Sequence, residues 1–304
     1  MRKRFAIPPD NAASGNQRYS LHKFMKTVTP RGPTVEKVHF TEEKATNLGT
    51  LYARALDARR KDPILGDTAA DEAVKKIDYD FRKLGVNENA AVSVAIRARA
   101  IDEMAGKWLA EHPDAIVVHL GCGMDTRVYR LDPPPSAEWV DVDYPEVVDV
   151  RGRIYPQRPG YTMIGSSVTD FGWLDQVPGD REALIVAEGL TMYLTAESGT
   201  ELVRRLVGKF PSGRIVVDFF SSLGIKAQTI NPVVRRAGAT LHWGIDDPHE
   251  LERYGLRLVS CLDATDWATD DAVAKIPAAS RLALRASALF PMIRKMGRIA
   301  EWDF

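Results

Sequence analysis

The chain has 304 residues, a formal net charge of zero and 45% hydrophobic residues, long enough for one large α/β domain with a lid or two small domains and ordinary for a soluble globular protein. The balanced charge excludes an extended nucleic-acid footprint, which needs a strong basic excess. No run approaches the roughly eighteen apolar residues of a membrane-spanning helix.

Residues 1–40 lack an apolar period, contain Pro8, Pro9, Pro30 and Pro33, and carry eight Lys or Arg against two acids, a local net of +6. They read as a partly flexible arm, either simply solvated or a cationic lid that attracts an acidic substrate. Met1 to Asp10 has no apolar stretch behind it, so no signal peptide is expected. Cys122 and Cys261 are expected as free thiols in a reducing cytoplasm.

From residue 41 to 60 the pattern turns helical, with Leu48, Leu51, Tyr52, Ala55 and Leu56 at three- and four-residue spacing. Further helices are predicted at 67–77 and 90–111. Strands at 115–120, 138–142, 161–165, 182–187 and 213–219 then alternate with helices at 145–155, 170–176 and 196–209. Strands separated by helix-length segments imply a parallel sheet with right-handed crossovers. An insert over 220–254 follows, helical from Pro248 to Tyr254. The end is predicted as a strand at 255–261, a helix over 274–295 interrupted near Pro291, and a last antiparallel strand at 298–304.

The informative stretch is Val117-Val118-His119-Leu120-Gly121-Cys122-Gly123-Met124-Asp125-Thr126-Arg127, a β-branched run that breaks into Gly-x-Gly. Two glycines at that spacing let the backbone take conformations closed to other residues, with a ligand close to the main chain. Trp139-Val140-Asp141-Val142-Asp143 then reads as a second strand tipped by a carboxylate. Together these are the layout of a nucleoside site, glycine turn first and ribose-binding acid second. A dinucleotide fingerprint needs a third glycine where this chain has Thr126, and Asp125 sets a carboxylate close to any phosphate. S-adenosylmethionine has adenosine but no phosphate, and it is favoured over NAD or FAD.

Its sulfonium, ammonium and carboxylate call for acids and one cation. Asp143 is the candidate for the ribose hydroxyls, with Asp141 competing on the same strand face. Asp125 either meets the ammonium or caps the turn. Glu188 emerges from an apolar strand, where an ionised carboxylate is costly without a partner; the ligand's cation and a basic side chain elsewhere are the two readings. Arg97 and Arg99 are candidates for the cofactor carboxylate, against surface pairs with Asp102 or Glu103. Ser167 and Val168 follow the third strand where adenine is expected, and Asp170 reads as a helix N-cap. His119 reads as a buried structural histidine. Tyr193 and His242 are candidates for lining the transfer chamber, with Trp243 and His249 nearby in sequence. No metal-ligand spacing emerges.

These segments resemble the leucine carboxyl methyltransferase-like family, with its bacterial branch of polyketide-type O-methyltransferases. The resemblance runs through Lys44-Ala45-Thr46 to Tyr52-Ala53-Arg54-Ala55, Ile96-Arg97-Ala98-Arg99, the glycine turn, Val142-Asp143-Tyr144-Pro145 and Ala187-Glu188-Gly189-Leu190-Thr191-Met192-Tyr193-Leu194. It implies a class I, Rossmann-like methyltransferase: a doubly wound, mostly parallel seven-stranded sheet, an N-terminal helical lid and an insert after strand five. It implies S-adenosylmethionine as methyl donor, with Arg97 on the cofactor carboxylate, Gly121 and Gly123 in the turn, Asp143 on ribose, Glu188 at the methionine end and Lys44 nearby. The chain departs from the family at His119 and Cys122, where Asn and Ala are common. It also departs at Ser167, where the eukaryotic protein-modifying members have an acid.

The reading is an O-methyltransferase acting on a carboxylate or hydroxyl of a small, secondary-metabolite-like acceptor, without nucleic-acid or membrane partners. A protein C-terminal carboxyl methyltransferase and a non-catalytic S-adenosylmethionine sensor are the alternatives. No pattern in the chain sets the acceptor or the oligomeric state.

Overall fold

The structure, a computed structural model, describes residues 36–38, 45–227, 240–267, 269–276, 281–282, 286 and 289–304. The expected arm lies outside the described residues except at 36–38, and Lys44 lies outside them as well. Glu36–Lys37 forms strand β1, paired in parallel with β2 (Ile77–Asp78).

Helix α1 (Ala45–Ala58) buries the stripe Leu48, Leu51 and Ala55. Helix α2 (Thr68–Lys76) starts at Asp67, whose side chain accepts from the Ala70 amide, and ends on Lys75 and Lys76. Acid-first, base-last order complements the helix dipole. Helix α3 (Glu88–Glu111) is capped by Asn87 in the same way. α1, α2 and the 3₁₀ turn Phe81–Leu84 build a small core with Met124, Val150 and Ile154. The N-terminal helices therefore rest on the glycine turn.

The main sheet contains β3 (Ile116–Leu120), β4 (Glu138–Asp143), β5 (Tyr161–Gly165), β6 (Ala183–Ala187), β7 (Gly213–Phe220), β8 (Arg257–Asp263) and β9 (Gly297–Asp303). Their order is β5-β4-β3-β6-β7-β9-β8, with β9 antiparallel to β7 and β8 and the remaining pairings parallel. The chain thus forms the doubly wound, mostly parallel seven-stranded α/β sheet that was expected. Both faces of β3 are covered, and all five of its residues are buried. Ile116, Val118 and Leu120 point to one face with Ile185, Trp173, Leu202 and Trp302. Val117 points to the other, with Val186, Val216 and α3's Ile101 and Trp108. Strand order reverses between β3 and β6, and the crevice outside their carboxyl ends is where open α/β sheets bind ligands.

Several expectations change. Residues 170–176 and 248–254 form 3₁₀ rather than α turns, Phe171–Gln176 and Pro248–Tyr254. Asp170 precedes the first of these but makes no side-chain cap hydrogen bond, so it is not the N-cap expected. The strand expected at 255–261 starts at Arg257, because Gly255 (φ 91°) closes the preceding turn. The helix expected over 274–295 with a break near Pro291 differs at its start, since Asp270–Ala274 is helical and Lys275 and Ile276 are not; residues 281, 282 and 286 are helical, and Pro291 opens a separate short helix, Pro291–Arg294. Residues 277–280, 283–285 and 287–288 lie outside the described set. The short helices α4 (Arg127–Leu131), after the glycine turn, and α7 (Ser222–Lys226), after β7, were not anticipated. Helices α5 (Pro145–Ile154) and α6 (Ala196–Lys209) fall where expected. Within the insert, Leu241, Trp243, Ile245 and Leu251 are buried in the body of the protein. No described helix is long and apolar enough to cross a membrane.

Candidate active site

The turn after β3 takes backbone angles that only glycine accepts easily, with φ 57° at Gly121 and 49° at Gly123. A Cβ at Gly123 would lie 2.6 Å from Asn47 Oδ1 of α1, so a side chain there would have to displace the Asn47 amide. Arg151 of α5, fully buried, fixes the turn from beneath by donating to the carbonyls of Gly123 (2.8 Å) and Asp125 (2.7 Å). Its other end rests on Asp141 and the Tyr161 hydroxyl.

That contact decides between the two strand-tip acids. Asp141 accepts from His119 Nδ1 (3.2 Å), Trp139 Nε1 (2.8 Å), Arg151 and Tyr161, and is fully buried. Burial opposes its ionisation, but Arg151 and the hydrogen bonds outweigh it and hold the carboxyl down to about 2. Asp141 is a structural anchor. Asp143 stands at the tip, on a cavity wall, accepting from the amides of Gly123 (2.6 Å) and Tyr144 (2.7 Å). Burial pushes its carboxyl above the ordinary value, and those two amides pull the other way.

Two cavities open along this rim. The larger, about 530 Å³, is lined by Asp143, Tyr144, Ser166, Ser167, Val168 and Leu190, among others. No lysine or arginine is among its described lining residues. The smaller, about 300 Å³, is lined on one side by Arg54, Arg97, Asp125 and Glu188, and on the other by Phe220, Leu241 and Trp267. Thr46, Asn47, Gly121, Gly189 and Tyr193 line both.

The charged wall is a closed network. The Glu188 side chain is 2% exposed and takes Arg54 (3.0 Å), Arg97 (3.0 Å) and Arg127 (2.5 Å). Burial opposes its charge, yet three guanidinium groups hold its carboxyl down to about 2. Asp125 is likewise buried and is held well below the usual range by Arg127, Arg130 and Arg54. Arg97 also reaches Asp218 of β7 at 3.0 Å. A guanidinium only donates, so His119 Nε2 accepts from Arg127 (3.3 Å), which leaves the ring proton on Nδ1, facing Asp141.

Arginines from three elements neutralise Glu188, the alternative weighed from sequence, and its side chain still lines the smaller cavity. Asp125 does not cap its turn through the backbone, because its carboxylate meets guanidinium groups. Of the two helix arginines, Arg97 faces the smaller cavity, whereas Arg99 pairs outward with Glu103 (2.8 Å) and Asp271 (3.0 Å). The Ser167 hydroxyl meets that of Thr169 at 2.9 Å on the rim of the larger cavity. His242 lines that cavity and donates its amide to the Met192 carbonyl (2.8 Å). Its sequence neighbours separate from it: Trp243 is buried against Gly199, and exposed His249 pairs with Glu252. Cys122 is buried and unpaired, and burial pushes its thiol well up. Among the described residues no His, Cys, Asp and Glu group could hold a metal ion.

Sequence reasoning gave no role to Arg54, Arg127, Asp218 or Trp267. For Asp218 the signal existed, since it interrupts an apolar strand as Glu188 follows one. Arg54 falls three residues after Leu51, on the apolar stripe of α1, where a cation needs buried partners.

A family model described as leucine carboxyl methyltransferase matches residues 47–159. The tetracenomycin polyketide synthesis O-methyltransferase TcmP of Streptomyces glaucescens is 46% identical over 217 residues, 71% of this chain and 80% of that protein. The S-adenosyl-L-methionine-dependent methyltransferase dpfgK of Gibberella zeae is 33% identical over 246 residues, 73% of this chain and 83% of that protein. Among solved structures, a proposed methyltransferase from Thermobifida fusca superposes with a TM-score of 0.53 at 18% identity, covering 82% of this chain and 93% of that one.

Proposed function

The chain belongs to the leucine carboxyl methyltransferase family and is an S-adenosylmethionine-dependent O-methyltransferase; from that premise we propose that it methylates a carboxylate oxygen of a small, polyketide-like acid. The observation that carries this reading is the state of the smaller cavity. Each of its acids and its one histidine, Asp125, Glu188 and His119, is already engaged by an arginine among the described residues. An acceptor hydroxyl needs a base to take its proton. A carboxylate arrives ionised and needs only alignment and exclusion of water.

The residues present fit the cofactor. Among the described residues the larger cavity is lined by no lysine or arginine for a phosphate but has a strand-tip carboxylate, which suits an uncharged nucleoside. There Asp143 would take the ribose hydroxyls, with Ser167 at the adenine edge and Val168 as an apolar wall. Glycines at 121 and 123 let the main chain approach the ligand without side-chain obstruction. Arg97 would grip the cofactor's carboxylate in the fork geometry that a guanidinium provides and an ammonium lacks. When bound, S-adenosylmethionine supplies a methyl carbon activated by sulfonium, open to in-line attack by oxygen. Phe220, Leu241 and Trp267 would hold the apolar body of the acceptor and exclude water, with Tyr193 at the junction of the two cavities.

A second reading rests on His242. It stands on the wall of the larger cavity and would serve as base for a hydroxyl acceptor. Incubating the protein with trideuteromethyl cofactor and paired acceptors separates the two. A free aromatic acid should acquire the label and its amide, with the phenol intact, should not. Label on the amide supports the hydroxyl reading. Replacing His242 with Ala should leave transfer to the acid unchanged.

A further inference from the structure

We propose that Asp218 is a positioning residue for the methyl-transfer site, holding both the guanidinium of Arg97 and the Gly189 turn that separates the two cavities. The inference rests on the reading of Arg97 as the group that receives the cofactor carboxylate.

Strand β7 reads Gly-Arg-Ile-Val-Val-Asp-Phe-Phe, and Asp218 is 1% exposed within it. An apolar residue of similar volume in place of a buried ion pair is often neutral or stabilising, so stability gives little reason for a charge here. What the carboxylate does is divide its two oxygens. Oδ1 accepts the Gly189 amide at 2.6 Å, and Oδ2 accepts Arg97 Nη1 at 3.0 Å. Its own carbonyl accepts the Thr191 hydroxyl at 2.7 Å. One residue thus ties the turn from Gly189 to Thr191, which leads into Tyr193, to the arginine on α3.

The geometry of Arg97 explains why a second acid is needed. Glu188 takes its Nε and Nη2, and β6 pairs with β7 so that Ala187 lies opposite Val217. Glu188 and Asp218 therefore leave adjacent strand ends side by side and hold the guanidinium at two of its edges. With Glu188 alone, shared with Arg54 and Arg127, the fork would pivot about one carboxylate. A Cβ built on Gly189 (φ 70°) would lie 3.8 Å from Arg97 Nη1 and Nη2, so the turn runs directly beside the same guanidinium.

The test compares two ligands that share adenosine and differ in the amino-acid tail. S-adenosylhomocysteine has the carboxylate, and 5′-methylthioadenosine lacks it. For Asp218→Asn, calorimetry should show the dissociation constant of S-adenosylhomocysteine rising about tenfold or more. That of 5′-methylthioadenosine should stay within about twofold, the scatter of independent substitutions. Equal loss for both ligands, or for neither, would overturn the proposal. Arg97→Lys is measured alongside. If it fails to weaken S-adenosylhomocysteine selectively, the reading of Arg97 fails on its own account. If it is selective and Asp218→Asn is not, only the role of Asp218 fails. Should Asn at 218 prevent folding, Asp218→Glu reads the same ligand ratio; a ratio unchanged from the parent protein then overturns the idea.

Discussion

Removing the Asp143 carboxylate tests the nucleoside half of the site. In the structure this group is 6% exposed and accepts the Gly123 and Tyr144 amides at 2.6 and 2.7 Å. The residue also lines the larger cavity. In Asp143→Ala the ribose hydroxyls lose a charged acceptor, a loss of about 1.5–3 kcal/mol. That is about 10- to 150-fold in the dissociation constant of S-adenosylhomocysteine. The same change strips an acceptor from the Gly123 amide in the turn, costing roughly 1–3 kcal/mol of stability. At about 2–4 °C per kcal/mol for a chain of this size class, the melting temperature should fall by several degrees without loss of fold. Asp143→Asn keeps one oxygen for one of the two amides and should fall between parent and Ala in both measurements. Because burial raises the Asp143 carboxyl, cofactor affinity should weaken with falling pH sooner than an ordinary aspartate would dictate. Calorimetry on folded Asp143→Ala that shows an affinity within about twofold of the parent would refute the ribose assignment.

Three further outcomes are expected. Glu188 and Asp141 are both held down to about 2 from ordinary values of 4.5 and 3.8, so their stabilisation is present above those values and lost as pH falls toward 2. Glu188→Gln should cost roughly 3–5 kcal/mol at neutral pH and flatten that acid limb in thermal melts; an unchanged limb would sink the account of the network. Cys122→Ala should retain turnover, and the parent thiol should resist alkylation at mildly alkaline pH, since burial keeps it protonated; rapid labelling of the native protein at Cys122 would contradict this. Trp267→Ala should raise the acceptor's KM while leaving S-adenosylhomocysteine affinity unchanged; a weakened cofactor instead would place Trp267 on the cofactor side.

The parallel sheet was legible because buried strands are short β-branched runs and the intervening helices carry an apolar stripe. The places of Gly121, Gly123 and Asp143 at strand carboxyl ends were legible, because ligands of open α/β sheets bind at that rim, and their contacts with a cofactor are what the proposal adds. Local signals failed where two solutions share them. Phe171–Gln176 has the length of a short helix, and its period does not tell a 3₁₀ turn from an α turn. Asp141 and Asp143 share a strand face, and the distinction lies in Arg151, buried ten residues away on α5. The charged wall was hidden for the same reason at longer range. Arg54 meets Glu188 across 134 residues of sequence, and Arg97 meets Asp218 across 121. Each member looked like an isolated charge until α1, α3, α4, β6 and β7 brought them together.

The claim at the centre of this account is transfer to a carboxylate oxygen, and the base lability of the product tests it directly. A trideuteromethyl product made by the enzyme is treated with mild hydroxide and followed by mass spectrometry. A methyl ester is cleaved, so the account predicts that the label leaves as deuterated methanol and the acceptor acid returns. A label that stays on the acceptor through the same treatment would mean an ether, and would contradict the claim.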